Sequence, residues 1–188
     1  MNFFKFWEML VEAFTIPKRD DSAKNVSVFI GRLQPPHIGH EAIIKSMKNN
    51  PIIVIVKGTK SSVDKSRNPF DAKYQTALLK KINSKAKIIV AKSGYLPEIF
   101  ADLRKQGMEV KEFFAGDDRL NSYKSQFKRL KLEDDESWNI KWNLTPRLAS
   151  ATAVRNSLKN GDEAAFKKIM PKSLHGEYKK MKGIMDKV

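Results

Sequence analysis

Five short apolar runs punctuate the chain, at 26–30, 51–56, 87–91, 110–115 and 139–144. Each is bounded by breaker or polar residues and has the length of a buried β-strand rather than a helix. Between and after them apolar positions recur at three- and four-residue spacing. This period predicts helices at about 40–49, 71–84, 96–106, 119–131 and 151–159, with one or two more near the end. Strands separated by helices imply right-handed crossovers and a mainly parallel five-stranded sheet with helices on both faces, an α/β fold. Ligands of such sheets bind beyond the carboxyl ends of the strands, where the strand order reverses.

Residues 1–25 stand outside that alternation. Met1 to Phe14 reads as a short apolar helix carrying Phe3, Phe4, Phe6, Trp7, Leu10 and Phe14, and 17–25 reads as a polar linker. Glu8 and Glu12 interrupt the apolar run and no basic stretch leads it, which argues against a secretory signal. The expected organisation is an N-terminal helical segment and linker, 1–25, followed by one catalytic-sized domain, 26–188. The chain has 188 residues, enough for one good core. It has no cysteine, which excludes disulfides and thiolate metal sites and fits a reducing cytoplasm. No apolar stretch approaches the roughly 18 residues of a membrane span. The net charge of +15 is concentrated in 45–105 and suits polyanionic partners, either nucleoside triphosphates or non-specific nucleic acid.

The densest chemistry is Gly31-Arg32-Leu33-Gln34-Pro35-Pro36-His37-Ile38-Gly39-His40, between the first core strand and its helix. A strand ending in a Gly/Pro turn delivers two imidazoles to a helix N-terminus, where unpaired N–H groups attract phosphate. Gly31 would let backbone approach a ligand, and the two prolines would stiffen the turn. The run resembles the signature of the HxGH nucleotidyltransferase superfamily, in the GRxQPxHxGH form of archaeal-type nicotinamide-mononucleotide adenylyltransferases and their tailed-phage relatives. That resemblance implies a Rossmann-like sheet and transfer of a nucleotidyl group from a triphosphate to an acceptor.

Later segments extend the likeness. Ser150-Ala151-Thr152-Ala153-Val154-Arg155 resembles the superfamily's Ser-x-Thr-x-Val-Arg motif; Ser150 or Thr152 can cap the next helix, and Arg155 offers a planar fork for phosphate oxygens. Arg67-Asn68-Pro69-Phe70-Asp71-Ala72 resembles the family's Pro-Phe segment but continues with Lys73-Tyr74 where the family has Gly-Glu, and proline there is also an ordinary helix start. Gly116-Asp117-Asp118-Arg119 resembles a nucleoside-side turn of phage members, in which Asp117 would meet a ribose; a helix cap at Asp118 is the other reading.

By resemblance, His37, His40 and Arg155 are the catalytic candidates. Gly31, Arg32, Gln34, Gly39, Asp117, Ser150 and Thr152 are the ATP-binding candidates. Tyr95 or Phe100 could stack on a nicotinamide, and both could equally be core. The implied reaction joins ATP to a phosphorylated small-molecule acceptor, foremost nicotinamide mononucleotide, giving NAD and pyrophosphate. Mg²⁺ would accompany ATP without a dedicated protein cage. Three alternatives stand beside this: cytidylyl transfer, adenylyl transfer to another acceptor, and a non-catalytic nucleic-acid-associated phage head protein. The last draws on the charge of +15 and on Leu10-Val11-Glu12-Ala13, which resembles the junction ending capsid-targeting leaders and would place the protein in a virion interior rather than the cytoplasm; a helix packed on the body of the chain or on a partner subunit is the other reading of residues 1–14. Oligomeric state is left open.

Overall fold

The computed structural model describes residues 17, 20–57, 64–129, 139–145 and 148–188, with the side chains of Asp117 and Asp118 outside that description. The expected helix at 1–14 lies outside the described residues.

Five parallel strands form one sheet: β1 (Lys24–Gly31), β2 (Pro51–Val56), β3 (Lys87–Ala91), β4 (Met108–Gly116) and β5 (Lys141–Thr145). Their order is β3-β2-β1-β4-β5 and every neighbouring pair is parallel. The expected doubly covered parallel sheet is the one observed. Strand order reverses between β1 and β4, so the crevice rule points to the carboxyl ends of these two strands, Gly31 and Gly116.

The helices are α1 (Ile38–Ser46), α2 (Ala72–Ile82), α3 (Leu96–Lys105), α4 (Asp117–Arg129), α5 (Ala151–Lys159), α6 (Glu163–Ile169) and α7 (Tyr178–Met185), with a 3₁₀ helix at Lys172–Glu177. Alternation along the strands sends Val26, Val28, Ile30, Ile52 and Val54 to one face, against Leu96, Ile99, Phe100 and Leu103 of α3 and Leu120, Tyr123 and Phe127 of α4. Phe29, Ile53, Ile55 and Phe114 face the other way, against Ile43 and Ile44 of α1 and Leu79 of α2. A register shift beside Val26 and Ser27 admits one extra β4 residue, Lys111. Val110 and Phe113 therefore share a face despite their odd spacing.

A third apolar cluster lies off the sheet. Phe70 and Leu78 pack with Val154, Leu158, Phe166, Met170, Leu174, Tyr178, Met181 and Met185. This cluster fastens α5, α6 and α7 to the start of α2. Tyr74 Oη reinforces it by donating to Glu177 at 2.6 Å, beside the Lys81–Glu177 ion pair. The late Arg155 motif is thereby carried back to the turn after β1.

At the opposite end of the sheet, Arg104 and Glu109 form a buried two-pronged ion pair, at 2.9 Å and 3.0 Å, and Arg104 also donates to the Pro17 carbonyl at 3.2 Å. The chain leading into β1 is thus held at the pole away from the carboxyl ends. Among the described residues no helix is long and apolar enough to cross a membrane.

Candidate active site

His37 is the N-cap of α1, with extended backbone, and His40 is the third residue of the helix. The N–H of His37 donates to Nδ1 of His40 at 3.2 Å, the reach-back half of a capping box with histidine in the usual place of a carboxamide or carboxylate. A ring whose Nδ1 accepts must, when neutral, carry its proton on Nε2, which makes that nitrogen a donor. The two imidazoles stack with centroids 3.7 Å apart and planes inclined by 21°. Burial, and secondarily the neighbouring His37, hold the His40 pKa well below the ordinary histidine range. His40 is therefore a neutral hydrogen-bond donor at physiological pH.

Gly39 explains the small residue between the rings. A Cβ there would meet His37 Cε1 at 3.1 Å and Nδ1 at 3.2 Å, with the Ala149 amide nitrogen 3.6 Å away. The same position thus makes room for the imidazole and meets the chain entering α5. Gly31 differs: a Cβ there would make only ordinary contacts, at 3.5–3.6 Å, with Leu33 and Phe29. Nothing in the fold itself demands glycine at Gly31.

Arg155 projects from α5 to the same turn. Its Nη1 donates to the Gln34 carbonyl at 2.6 Å and its Nη2 to Thr152 Oγ1 at 3.1 Å. Partial burial lowers its pKa, and the positive charges of Arg32 and Arg67 lower it further, against a smaller opposing effect of Asp64. The positive potential of Arg32 and Arg67 thus reaches Arg155, while Arg67 itself pairs with Asp64 at 3.6 Å. An anionic ligand would relieve that repulsion. Arg67, on which the Pro-Phe likeness gave no firm role, contributes to that potential.

Other expected ligand residues have different work. Gln34 is buried, and its amide clamps the peptide of Phe70: Nε2 donates to the carbonyl at 2.7 Å and Oε1 accepts from the N–H at 3.1 Å. Instead of facing nucleotide, this side chain ties the turn to the 68–70 segment, because a buried amide finds its partners within the protein. Ser150 caps α5, accepting from the Ala153 N–H at 3.1 Å. Thr152 is occupied in orienting Arg155. Asp117 heads α4 just beyond β4, but its side chain lies outside the described residues.

Phe100 is a correction. It is fully buried and packs edge-on against Phe113 and Phe127, at centroid distances of 5.8 Å and 5.4 Å, so it cannot stack on a ligand. Amphipathic spacing put an aromatic near the strand end, but the helix turned it inward. Tyr95 caps α3 after β3, the outermost strand on its side. Two strand spacings separate β3 from β1, about 10 Å. The third histidine, His175, is partly exposed and hydrogen-bonds the Met170 carbonyl at 3.1 Å.

The family model described as cytidylyltransferase-like matches residues 28–156, from β1 through Arg155. No curated protein matches the chain. Among solved structures, a Vibrio parahaemolyticus protein assigned as a nicotinate-nucleotide adenylyltransferase superposes with a TM-score of 0.55 at 16% identity, covering 88% of this chain and 97% of its own. The nicotinic acid mononucleotide adenylyltransferase of Plasmodium falciparum, complexed with APC, gives 0.54 at 18% identity, with 87% and 98% covered. TmcAL of Thermotoga maritima, bound with alpha-thio ATP, gives 0.54 at 15% identity, with 84% of this chain but 55% of that one covered. At these identities the superpositions speak for the fold. The family match spans more than half of the chain and contains both histidines, the Pro-Phe segment and Arg155, so this chain belongs to the cytidylyltransferase-like family of the HxGH nucleotidyltransferase superfamily.

Proposed function

We propose that this protein transfers AMP from ATP to nicotinamide mononucleotide, giving NAD and pyrophosphate. The observation that carries the reading is the stacked pair His37 and His40 at the head of α1 together with Arg155, which is hydrogen-bonded to the Gln34 carbonyl of the same turn. A phosphate oxygen of the acceptor attacks the α-phosphorus of ATP; the new P–O bond forms as the bond to the bridging oxygen of the β-phosphate breaks. The electron pair leaves with pyrophosphate. A phosphomonoester has a second pKa near 6, so the nucleophile is already ionised at neutral pH and needs no general base. The site's task is to place two anions in line and to stabilise charge developing on the leaving group.

His40 suits that task as a preset neutral donor. Arg155, held at one end by the Gln34 carbonyl and at the other by Thr152, presents a fixed fork. Mg²⁺ would arrive on the triphosphate and supply charge neutralisation there. Nicotinate mononucleotide is the acceptor named for two structural neighbours, and CTP is the donor suggested by the family's description.

The test is pyrophosphate release and product chromatography with MgATP or MgCTP against nicotinamide mononucleotide, nicotinate mononucleotide and phosphorylated alcohols. NAD from the first pairing is the expected product. Much faster reaction of CTP with a phosphorylated alcohol would replace the proposal with cytidylyl transfer. Absence of pyrophosphate release from every pairing would remove the enzymatic reading.

A further inference from the structure

We propose that Gln75, on α2, is a positioning residue that sets the shape of the phosphate-facing turn after β1; the inference rests on the nucleotidyltransferase reading above. Gln75 is 2% exposed, and its Nε2 donates to two successive main-chain carbonyls, those of Arg32 at 2.5 Å and Leu33 at 2.8 Å. One amide has two N–H donors, so a single side chain satisfies both carbonyls.

The turn needs such a tie. Leu33 has φ +53°, in the left-handed region that leucine rarely occupies. A backbone in that region persists only where its surroundings over-determine it. The Leu33 side chain supplies part of the constraint, buried with Phe29, Ile43 and Ile44. Gln75 supplies the rest through the backbone.

The consequence is electrostatic as well as steric. The carbonyls of Arg32 and Leu33 are negative dipole ends on a turn whose neighbours, Arg32 and His37, are to receive an anion. Engaged on Gln75, they are committed to the protein side of the turn. The next carbonyl, that of Gln34, is committed to Arg155 at 2.6 Å. Three consecutive carbonyls of the turn therefore have assigned donors on the protein side, and their negative ends are not offered to an incoming phosphate. A glutamate at Gln75 would place acceptors against acceptors. An apolar residue would leave two carbonyls without these donors and the left-handed turn without its backbone restraint.

Three variants separate positioning from packing. Gln75→Met keeps length and volume without donors, Gln75→Glu keeps shape with acceptors only, and Gln75→Lys keeps a donor that can serve both carbonyls. Each is compared with wild type for pyrophosphate release with MgATP and nicotinamide mononucleotide, for inorganic pyrophosphate binding by calorimetry, and for Tm. Positioning predicts kcat lowered about tenfold or more in the Met and Glu variants, weaker pyrophosphate binding, and substantial recovery in Lys. A packing role predicts the reverse order, with Met at least as active as Lys, because Met conserves apolar volume and Lys does not. That reverse order, or a folded Met variant with wild-type kcat and pyrophosphate affinity, overturns the inference. If Met does not fold, the Lys-against-Glu comparison reads the same contrast, and equal activities there overturn it. Wild-type protein that neither releases nor binds pyrophosphate overturns the functional reading itself, and the inference with it.

Discussion

Gly39→Ala isolates the demand of the histidine pair from the general demands of the fold. Gly39 sits in the first turn of α1 and is buried, so alanine should favour the helix by about 1 kcal/mol relative to glycine. Against this, the new methyl would lie 3.1 Å and 3.2 Å from two atoms of the His37 ring, and that ring must give by a few tenths of an ångström. It has little room to do so. His37 is 7% exposed, and the His40 ring stacks on it at a centroid distance of 3.7 Å. Overpacking of this kind costs about 1–3 kcal/mol. The balance is a net destabilisation of roughly 0–2 kcal/mol, which for a chain of this size shifts Tm by only a few degrees. Activity should suffer more. Both imidazoles are displaced together, and misplacement approaching 1 Å can cost on the order of 10²-fold. The expected result is a well-folded variant with kcat reduced about tenfold or more. Pyrophosphate release at saturating MgATP, with Tm from circular dichroism, measures both quantities. A variant with wild-type kcat would refute the argument that Gly39 exists to admit the His37 ring. So would a loss of activity that merely tracks the unfolded fraction.

Three other variants test the structure. His40→Ala should lower kcat on the order of 10²-fold, as loss of a preorganised donor does. Because the pKa of His40 is depressed in the folded chain, the unfolded chain binds more protons; stability should fall as pH drops below about 6.5, and urea midpoints should show a weaker acid dependence in His40→Ala than in wild type. Phe100→Ala should destabilise the fold by about 3–5 kcal/mol through a core cavity while leaving the acceptor KM of the folded fraction unchanged; a selective rise in that KM would return Phe100 to the site. A chain beginning at Ser22 should retain nucleotidyltransferase activity. The segment it lacks enters through the Pro17–Arg104 contact at the far pole, and a folded but inactive truncation would show that it reaches the site.

What could be read from the chain alone was set by local rules. Apolar runs of strand length placed β2 and β3 at 51–56 and 87–91, as observed, and the other three strands to within two residues at each end. The His-x-Gly-His turn and the Arg155 helix were legible because a strand end, a glycine and a helix start leave fixed local marks. Side-chain assignments failed where tertiary packing decides. Phe100 occupies a position on α3 that spacing alone leaves open between core and crevice, and only the meeting of α3 with Phe113 and Phe127 closes it. Gln34 sits inside the motif, yet its partner is the Phe70 peptide, 36 residues later. Gln75 carries no sequence mark at all, being an ordinary polar residue on a helix until the fold lays two carbonyls against it. By itself, then, the sequence determined which elements form, because period and capping act within a few residues. It also determined which residues can donate to phosphate, because that follows from side-chain chemistry. Which of them meet, and which amides hold the turn that presents them, was decided only in three dimensions. Contacts such as Arg155 to Gln34 join residues more than a hundred positions apart, and no local pattern encodes so distant a partner.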